Sequence, residues 1–322
     1  MPRARAFITG ADGFVGGFLL EHLAAEGDEL LGAVPRPVTA SSGLPDILRT
    51  TPLVVWDLAD PSGDDRALRT ALLEFRPRAI YHLAAISVPE DCGDAAVHPL
   101  AQTVNVEGTA RLLRLAAGLP QPPRVLIVSS SYVYPSPGDQ PRQYSEADPV
   151  APRRGYGRTK REAELLALEA WRRDGLPVLI ARAFPHTGPR QSQRMMLPEW
   201  AAQFAAGIDP VRVHTLEAWI DLSDVRDVVR AYRLLVERGV PGEVYNVGSG
   251  LARRSGDVFE LLRRLADPAR GVQEIRPGRK CDPIADIGKI RGAVGWRPEI
   301  ALEQTVRDTW EYWRSRNTPA PS

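Results

Sequence analysis

At 322 residues, with 43% hydrophobic and 25% charged side chains, the chain can bury one large α/β domain or two joined ones. A net charge of +1 gives no electrostatic footing for nucleic acid or an anionic membrane. No apolar run has the length of a bilayer span, no signal-like leader precedes the first apolar run, Cys92 and Cys281 lie far apart and the histidines are scattered, so a cytoplasmic location without a metal centre is expected.

Arg5–Thr9 reads as a first strand, and Gly10, Gly13 and Gly16 follow it before a helical pattern over Val15–Glu26. Strand, glycine turn and helix in that order suit a dinucleotide. Gly10 permits the sharp turn, Gly13 lets backbone approach a phosphate, and Gly16 lets the helix pack on the strand. Free N–H groups around Phe14 and Val15 then face the pyrophosphate. Glu29–Val34 is a second strand, and a loop rich in Ser, Thr, Pro and Gly runs to Thr51. Leu53–Trp56 is a third strand, Asp64–Phe75 a helix and Ala79–Leu83 a fourth strand. Val97–Ala117 and Gly155–Arg173 read as long helices, with strands at Arg124–Val128 and Val178–Arg182. Apolar strands alternating with helices predict an α/β fold, a Rossmann-type doubly wound parallel sheet.

After Phe184 the pattern changes, with Pro185, Pro189, Pro198 and Pro210 interrupting it. Helices are expected at Asp224–Glu237, Gly256–Ala266 and Ala301–Arg314, a strand at Glu243–Val247, and a loose tail over Asn317–Ser322. Residues 1–184 are thus expected to form the NADP(H)-binding domain. Residues 185–322 are expected to be mainly a smaller α/β substrate-binding region, with some segments returning to the first domain.

The choice of cofactor is read at the end of the second strand. An acid there would bond the adenosine ribose, whereas an arginine accommodates a 2′-phosphate. The chain has Ala33-Val34-Pro35-Arg36, which favours NADP(H) over NAD(H) by charge pairing at Arg36. A solvated loop arginine is the alternative. Asp57 is placed to accept from the adenine amino group, or serves as a loop acid. The small residues of Leu83-Ala84-Ala85 let ribose and phosphates lie against backbone.

Tyr156 and Lys160 fall four apart at the start of a helix, on one face. A free phenol titrates near ~10, and a neighbouring ammonium together with an oxidised nicotinamide would lower that value. Lys160 can also hold the nicotinamide ribose. Ser129-Ser130-Ser131 follows the fifth strand at the carboxyl edge, where ligands bind in such sheets. Taken singly these are a surface pair and a polar loop. Together with the glycine turn they make a hydride-transfer site.

These segments resemble the extended short-chain dehydrogenase/reductases, in the branch that acts on nucleotide-activated sugars. The likeness covers nearly the whole chain. It rests on Thr9–Gly16, Tyr81-His82-Leu83-Ala84-Ala85, Asn105-Val106-Glu107-Gly108-Thr109, Ser129–Tyr134 and the Tyr156/Lys160 pair. It implies Ser130, Tyr156 and Lys160 as catalytic residues, His82 as a structural strand residue and Asn105 as a brace. It implies a cofactor site of Gly10, Gly13, Phe14, Val15, Gly16, Arg36, Asp57, Leu58, Leu83, Ala84 and Ala85 with Tyr156 and Lys160. On the substrate side it implies Ser87, Ser131, Tyr132 and His186, with Arg190, Arg279 and also Arg194 as candidates for a diphosphate.

Within the family, Phe184–Ser192, Asp224–Tyr232, Gly242–Gly250, Gly295–Pro298 and Tyr312–Arg314 are similar to GDP-4-keto-6-deoxy-D-mannose reductases. The implied reaction is NADPH-dependent reduction of a 4-keto-6-deoxy sugar nucleotide. The chain departs from the usual pattern at Pro185, Ile220, Pro135 and Ile86, where the family has asparagine, arginine, glycine and glutamine. The two residues after Ser130 are Ser131 and Tyr132, whereas similar dehydratases carry acids there for proton removal. A 4-epimerase with tightly bound NAD uses the same Ser–Tyr–Lys set and stays as the alternative. A non-catalytic sensor or scaffold would be expected to lose the tyrosine or lysine. The resemblance further implies a homodimer through the two long helices, with Leu112, Leu113, Leu165 and Leu166 either at that interface or facing the sheet.

Overall fold

The computed structural model describes residues 4–39, 45–60, 62–152 and 154–317. Seven strands form its main sheet: β1 (Arg5–Thr9), β2 (Glu29–Val34), β3 (Leu53–Val55), β4 (Ala79–His82), β5 (Arg124–Ser130), β6 (Val178–Ala183) and β7 (Val244–Val247). Their order is β7-β6-β5-β4-β1-β2-β3, and every neighbouring pair is parallel. This is the doubly wound arrangement that the strand–helix alternation predicts. The order reverses between β1 and β4, where the carboxyl ends part to leave a crevice.

The alternation of side chains along each strand supplies two cores. Ala6, Ile8, Tyr81, Leu126 and Leu179 join one face, under α1 (Phe14–Ala25) and a helix over Val225–Arg238. Phe7, Ile80, Val125, Ile127 and Ile180 join the other, under helices Arg66–Phe75, Gly108–Ala117 and Gly155–Asp174. β6 is buried along its whole length, as a central parallel strand with helices on both faces must be.

The chain after Phe184 divides its material. The helix Val225–Arg238 packs on α1, and β7 pairs with β6 as the edge of the main sheet. Helices Met196–Ala205, Ser255–Ala266 and Leu302–Asn317 surround a separate core of Trp200, Phe204, Val213, Phe259 and Val306.

Two local expectations change, and one that stood open is narrowed. The Ser/Thr/Pro/Gly-rich stretch before Thr51 holds a helical turn, Ile47–Thr50, that buries Leu48; residues 40–44 lie outside the described residues, as do residues 318–322 of the expected tail. The long helix expected over Val97–Ala117 starts at Pro99, capped by His98, and widens into a π-turn at Gln102–Glu107 before Gly108–Ala117. Such insertions displace a side chain from the regular helical face. Here Asn105 reaches the loop after β4, bonding Ile86 by its carbonyl oxygen (2.8 Å) and its amide (3.0 Å). Finally, Leu112 and Leu113 face the sheet, Leu166 packs partly against it, and Leu165 stays exposed. No described helix is long and apolar enough to cross a membrane.

Candidate active site

At the reversal point Gly10 has a φ of +67°, and a Cβ there would lie 2.8 Å from the Ala84 nitrogen. A Cβ on Gly16 would collide with the Gly10 carbonyl oxygen. Only glycine permits both approaches, so the turn, the start of α1 and the end of β4 close into a backbone cradle. First-turn N–H groups of a helix have no intrahelical acceptor, which suits this cradle to a phosphate.

Below the cradle a buried chain of hydrogen bonds fixes the floor. The Ala84 N–H donates to the Thr9 hydroxyl (3.2 Å), which pairs with His82 Nδ1 (2.8 Å). His82 Nε2 pairs with Thr109, whose hydroxyl donates to the Asn105 carbonyl. That sequence of donors puts the imidazole proton on Nε2. Burial, helped by the charge of Lys160, pulls the His82 pKa down to about 3, so the ring stays neutral. His82 is therefore a strand brace.

The cradle opens into a cleft of 1210 Å³. Pockets for one drug-sized ligand run to roughly 300–1,000 Å³, so this one has room for two bound molecules. Its walls include Gly10, Gly13, Phe14, Val15, Gly16, Asp57, Leu58, Leu83, Ala84 and Ala85. Asp57 also closes its own turn by accepting from the Ala59 N–H at 2.8 Å. Arg36 is exposed and stands beside the wall residue Pro35, where its charge acts on the half-buried Asp12.

Ser130, Tyr156 and Lys160 line the same cleft. Ser130 ends β5, where its hydroxyl accepts from the Tyr132 N–H (3.2 Å) and bonds Tyr156. The Tyr156 ring stands edge-on to Tyr132, 5.7 Å between centroids. Lys160 is buried, donates to the Val128 carbonyl (2.9 Å) and places its ammonium 5.9 Å from the Tyr156 ring centre. Burial pulls its pKa down to about 8. For Tyr156 burial raises the pKa, and the bond from Ser130 opposes it. The lowering expected from a neighbouring ammonium is therefore not the ruling effect in the unliganded protein. A second layer holds these groups. Ser129 donates to Glu164 (2.6 Å), and Arg182 grips both Glu164 oxygens at 2.9 Å while bonding Tyr134. Breaking such a buried pair would leave an uncompensated charge beneath β5.

One further wall residue is suited to a bound ligand. Tyr232 is fully buried and lines the cleft, yet its hydroxyl has no hydrogen-bond partner among the described residues. An unmet buried donor facing a cleft is costly unless a ligand satisfies it.

The family model described as "NAD dependent epimerase/dehydratase family" matches residues 6–248. The chain belongs to that family. Its members are NAD(P)-dependent enzymes that act on nucleotide sugars. Among relatives of this family member, the GDP-6-deoxy-D-mannose reductase of Pseudomonas aeruginosa is 31% identical, over 97% of this chain and 98% of the relative. A dTDP-glucose 4,6-dehydratase of Neisseria gonorrhoeae is 28% identical, over 97% and 96%. The RMD protein of Pseudomonas aeruginosa, solved with NADPH, superposes with a TM-score of 0.81 at 29% identity, covering 97% of this chain and 99% of its own.

Of the residues expected on the substrate side, Ser87, Ser131, Tyr132, His186, Arg194 and Arg279 line the cleft of this epimerase/dehydratase-family member. His186 donates from Nδ1 to the Phe184 carbonyl (2.9 Å) and stacks on Phe14. Arg279 lies over Trp219, 5.8 Å from its ring centre, and Arg194 pairs with Asp91. Arg190 is not brought to the cleft walls. Its guanidinium is bidentate on Glu21 of α1 and sits over the Phe18 ring. Sequence reasoning missed Arg154, Lys280, Asp282, Glu199, His214 and Tyr232, all wall residues. The basic run Arg276–Lys280 is a visible signal for one of these, Lys280. The others depend on which loops meet.

Proposed function

We propose that the protein reduces the 4-keto group of a nucleotide-activated 4-keto-6-deoxy sugar with NADPH. The observation that carries this reading is the meeting of Ser130, Tyr156 and Lys160 in one cleft, with Ser131 and Tyr132 where dehydration would need acids. Likeness to a GDP-6-deoxy-D-mannose reductase over nearly the whole chain supports it. In this proposal residues 1–184 carry the cofactor and the catalytic groups, and residues 185–322 mainly hold the sugar nucleotide. The cofactor residues are Gly10, Gly13, Phe14, Val15, Gly16, Asp57, Leu58, Leu83, Ala84 and Ala85, with Arg36 reaching the 2′-phosphate from the rim.

When bound, the reduced nicotinamide supplies a hydride to the carbonyl carbon. Ser130 and Tyr156 donate hydrogen bonds to the 4-keto oxygen and draw off the charge that develops there. Tyr156 then gives its proton to that oxygen. Burial keeps the phenol protonated beforehand, which suits a proton donor. Lys160 holds the nicotinamide ribose and its charge offsets the phenolate that is left. Dimerisation through the helix Gly155–Asp174, which keeps Leu165 exposed, is part of the proposal. Light scattering showing a concentration-independent monomer would reject that part.

The test is NADPH absorbance with purified protein and GDP- or dTDP-linked 4-keto-6-deoxy sugars, with NADH in parallel. Stoichiometric loss of NADPH with one of them is the expected result. No loss, together with 4-epimerisation of an ordinary sugar nucleotide without added cofactor, would replace the reductase by the epimerase.

A further inference from the structure

The glycine turn carries an acid that a phosphate cradle does not call for. Asp12 lies between Gly10 and Gly13, half-buried, and lines the cleft. The turn is tied to the second strand. The Ala11 N–H donates to the Ala33 carbonyl at 3.2 Å, and a Cβ on Gly32 would lie 2.9 Å from the Ala11 Cβ. Asp12 therefore stands beside the tip of β2, which continues as Pro35 in the cleft wall and Arg36 at the exposed rim. In a dinucleotide fold that tip meets the adenosine ribose, and the charge beside it decides between a 2′-hydroxyl and a 2′-phosphate. The tip itself carries no acid, and Asp57, after the neighbouring strand, closes its own turn. Among the described residues the Asp12 carboxylate makes no ion pair and no hydrogen bond to another residue. Burial raises its pKa, and the charge of Arg36 opposes the rise without closing an ion pair.

A half-buried carboxylate with no close cation is unfavourable, and a phosphate brought beside it adds a like charge. A ribose hydroxyl, which donates, is the ligand group it suits. We propose that Asp12 takes the place of the acid missing from the tip of β2, accepting from the adenosine 2′-hydroxyl of NAD(H) and repelling the 2′-phosphate of NADP(H). Arg36 and Asp12 then act in opposite directions. NADPH gains at Arg36 and loses at Asp12, whereas NADH gains at Asp12 and is indifferent to Arg36. Because Arg36 is exposed, its pairing with a phosphate is screened by water and worth little. The site therefore admits both cofactors, with NADPH favoured by no more than about tenfold. The inference rests on the cofactor reading of the cleft and deepens it by naming the residue that limits the preference for NADPH.

The test is fluorescence titration of the full chain with NADPH and with NADH, which differ only at the 2′ position. Dissociation constants within about tenfold of one another are expected in the unmodified protein. Asp12→Asn removes the charge but keeps an acceptor oxygen. NADPH should then bind roughly 10-fold more tightly, while NADH weakens by less than about that factor. Asp12→Ala removes the acceptor as well. NADPH should gain as before, and NADH should lose roughly 10- to 100-fold, the range for one hydrogen bond to a charged group. A stronger preference for NADPH in the unmodified protein overturns the assignment without needing any variant. So do variants that shift both cofactors alike, which would mean that the acid only shapes the turn, or that shift neither. In these cases the nicotinamide-cofactor reading of the cleft stands. Binding of neither cofactor by the unmodified protein overturns both.

Discussion

Arg190 makes a bidentate ion pair with Glu21, at 2.6 and 2.7 Å, and lies 3.8 Å from the ring centre of Phe18. The pair fastens the loop after β6 to the helix that follows the glycine turn. It also withdraws from the substrate an arginine that its sequence neighbourhood assigns to a diphosphate. Glu21 is well exposed, so Arg190→Ala is expected to lower stability by only about 1 kcal/mol in urea unfolding. GDP affinity should stay within twofold. A tenfold loss of GDP binding would return the guanidinium to the substrate.

That outcome separates what is legible in the sequence from what is not. The glycine turn, the Tyr156/Lys160 pair and Ser130 are short-range patterns: each acts through residues within one turn or one strand end. Local spacing therefore reveals them, and so does the alternation that gives the parallel sheet. Arg190, Tyr232 and Glu199 acquire their surroundings only when distant segments meet. An arginine beside a Gly-Pro turn and a tyrosine inside an amphipathic helix carry no mark of Glu21 or of the cleft. The strand Val244–Val247 was legible as a strand, but its partner β6 was not, because pairing is a tertiary choice. The π-turn at Asn105 is invisible for a related reason: helical periodicity does not show where an extra residue is accommodated.

The hydroxyl of Tyr232, without a hydrogen-bond partner among the described residues, makes a prediction with two opposite signs. Tyr232→Phe removes a buried donor that the free protein leaves unsatisfied, so the melting temperature without cofactor should hold or rise. If the cofactor satisfies that hydroxyl, stabilisation by NADPH should shrink, by about 0.5–1.5 kcal/mol. Paired thermal melts with and without NADPH read both effects. A variant that is less stable alone but gains as much from NADPH would place the hydroxyl's partner inside the protein.

Lys160 links stability to pH. Burial pulls its pKa from 10.5 to about 8, so between those values the unfolded chain holds a proton that the folded chain has released. Where the unfolded state binds more protons, stability rises with pH. Lys160 therefore destabilises the fold below about pH 8, and this cost is relieved progressively up to pH 10.5. The full swing is about 3 kcal/mol. Lys160→Met should abolish the swing, so the stability difference between variant and parent should be greatest at neutral pH and narrow toward pH 10.5. Denaturant melts of both proteins across that range measure it, and parallel curves would mean that the ammonium is not desolvated.

Tyr156 and Ser130 are bonded to one another and, in the proposed reaction, to the same substrate oxygen. Tyr156→Phe removes the proton donor and is expected to lower kcat by about 10²–10⁴-fold, while the NADPH dissociation constant changes little. Ser130→Ala removes one donor to the developing oxyanion, for about 10²-fold. Two groups that act on one atom do not contribute independently, so the double variant should fall well short of the product of the two single losses. Single-turnover oxidation of NADPH isolates the chemical step in all three variants. Losses that multiply would mean that Ser130 acts elsewhere, on the orientation of the sugar and not on its 4-keto oxygen. Ser130→Thr, which keeps the hydroxyl, then decides between them: recovery of kcat keeps the serine on the oxygen, whereas a change confined to KM moves it to the sugar.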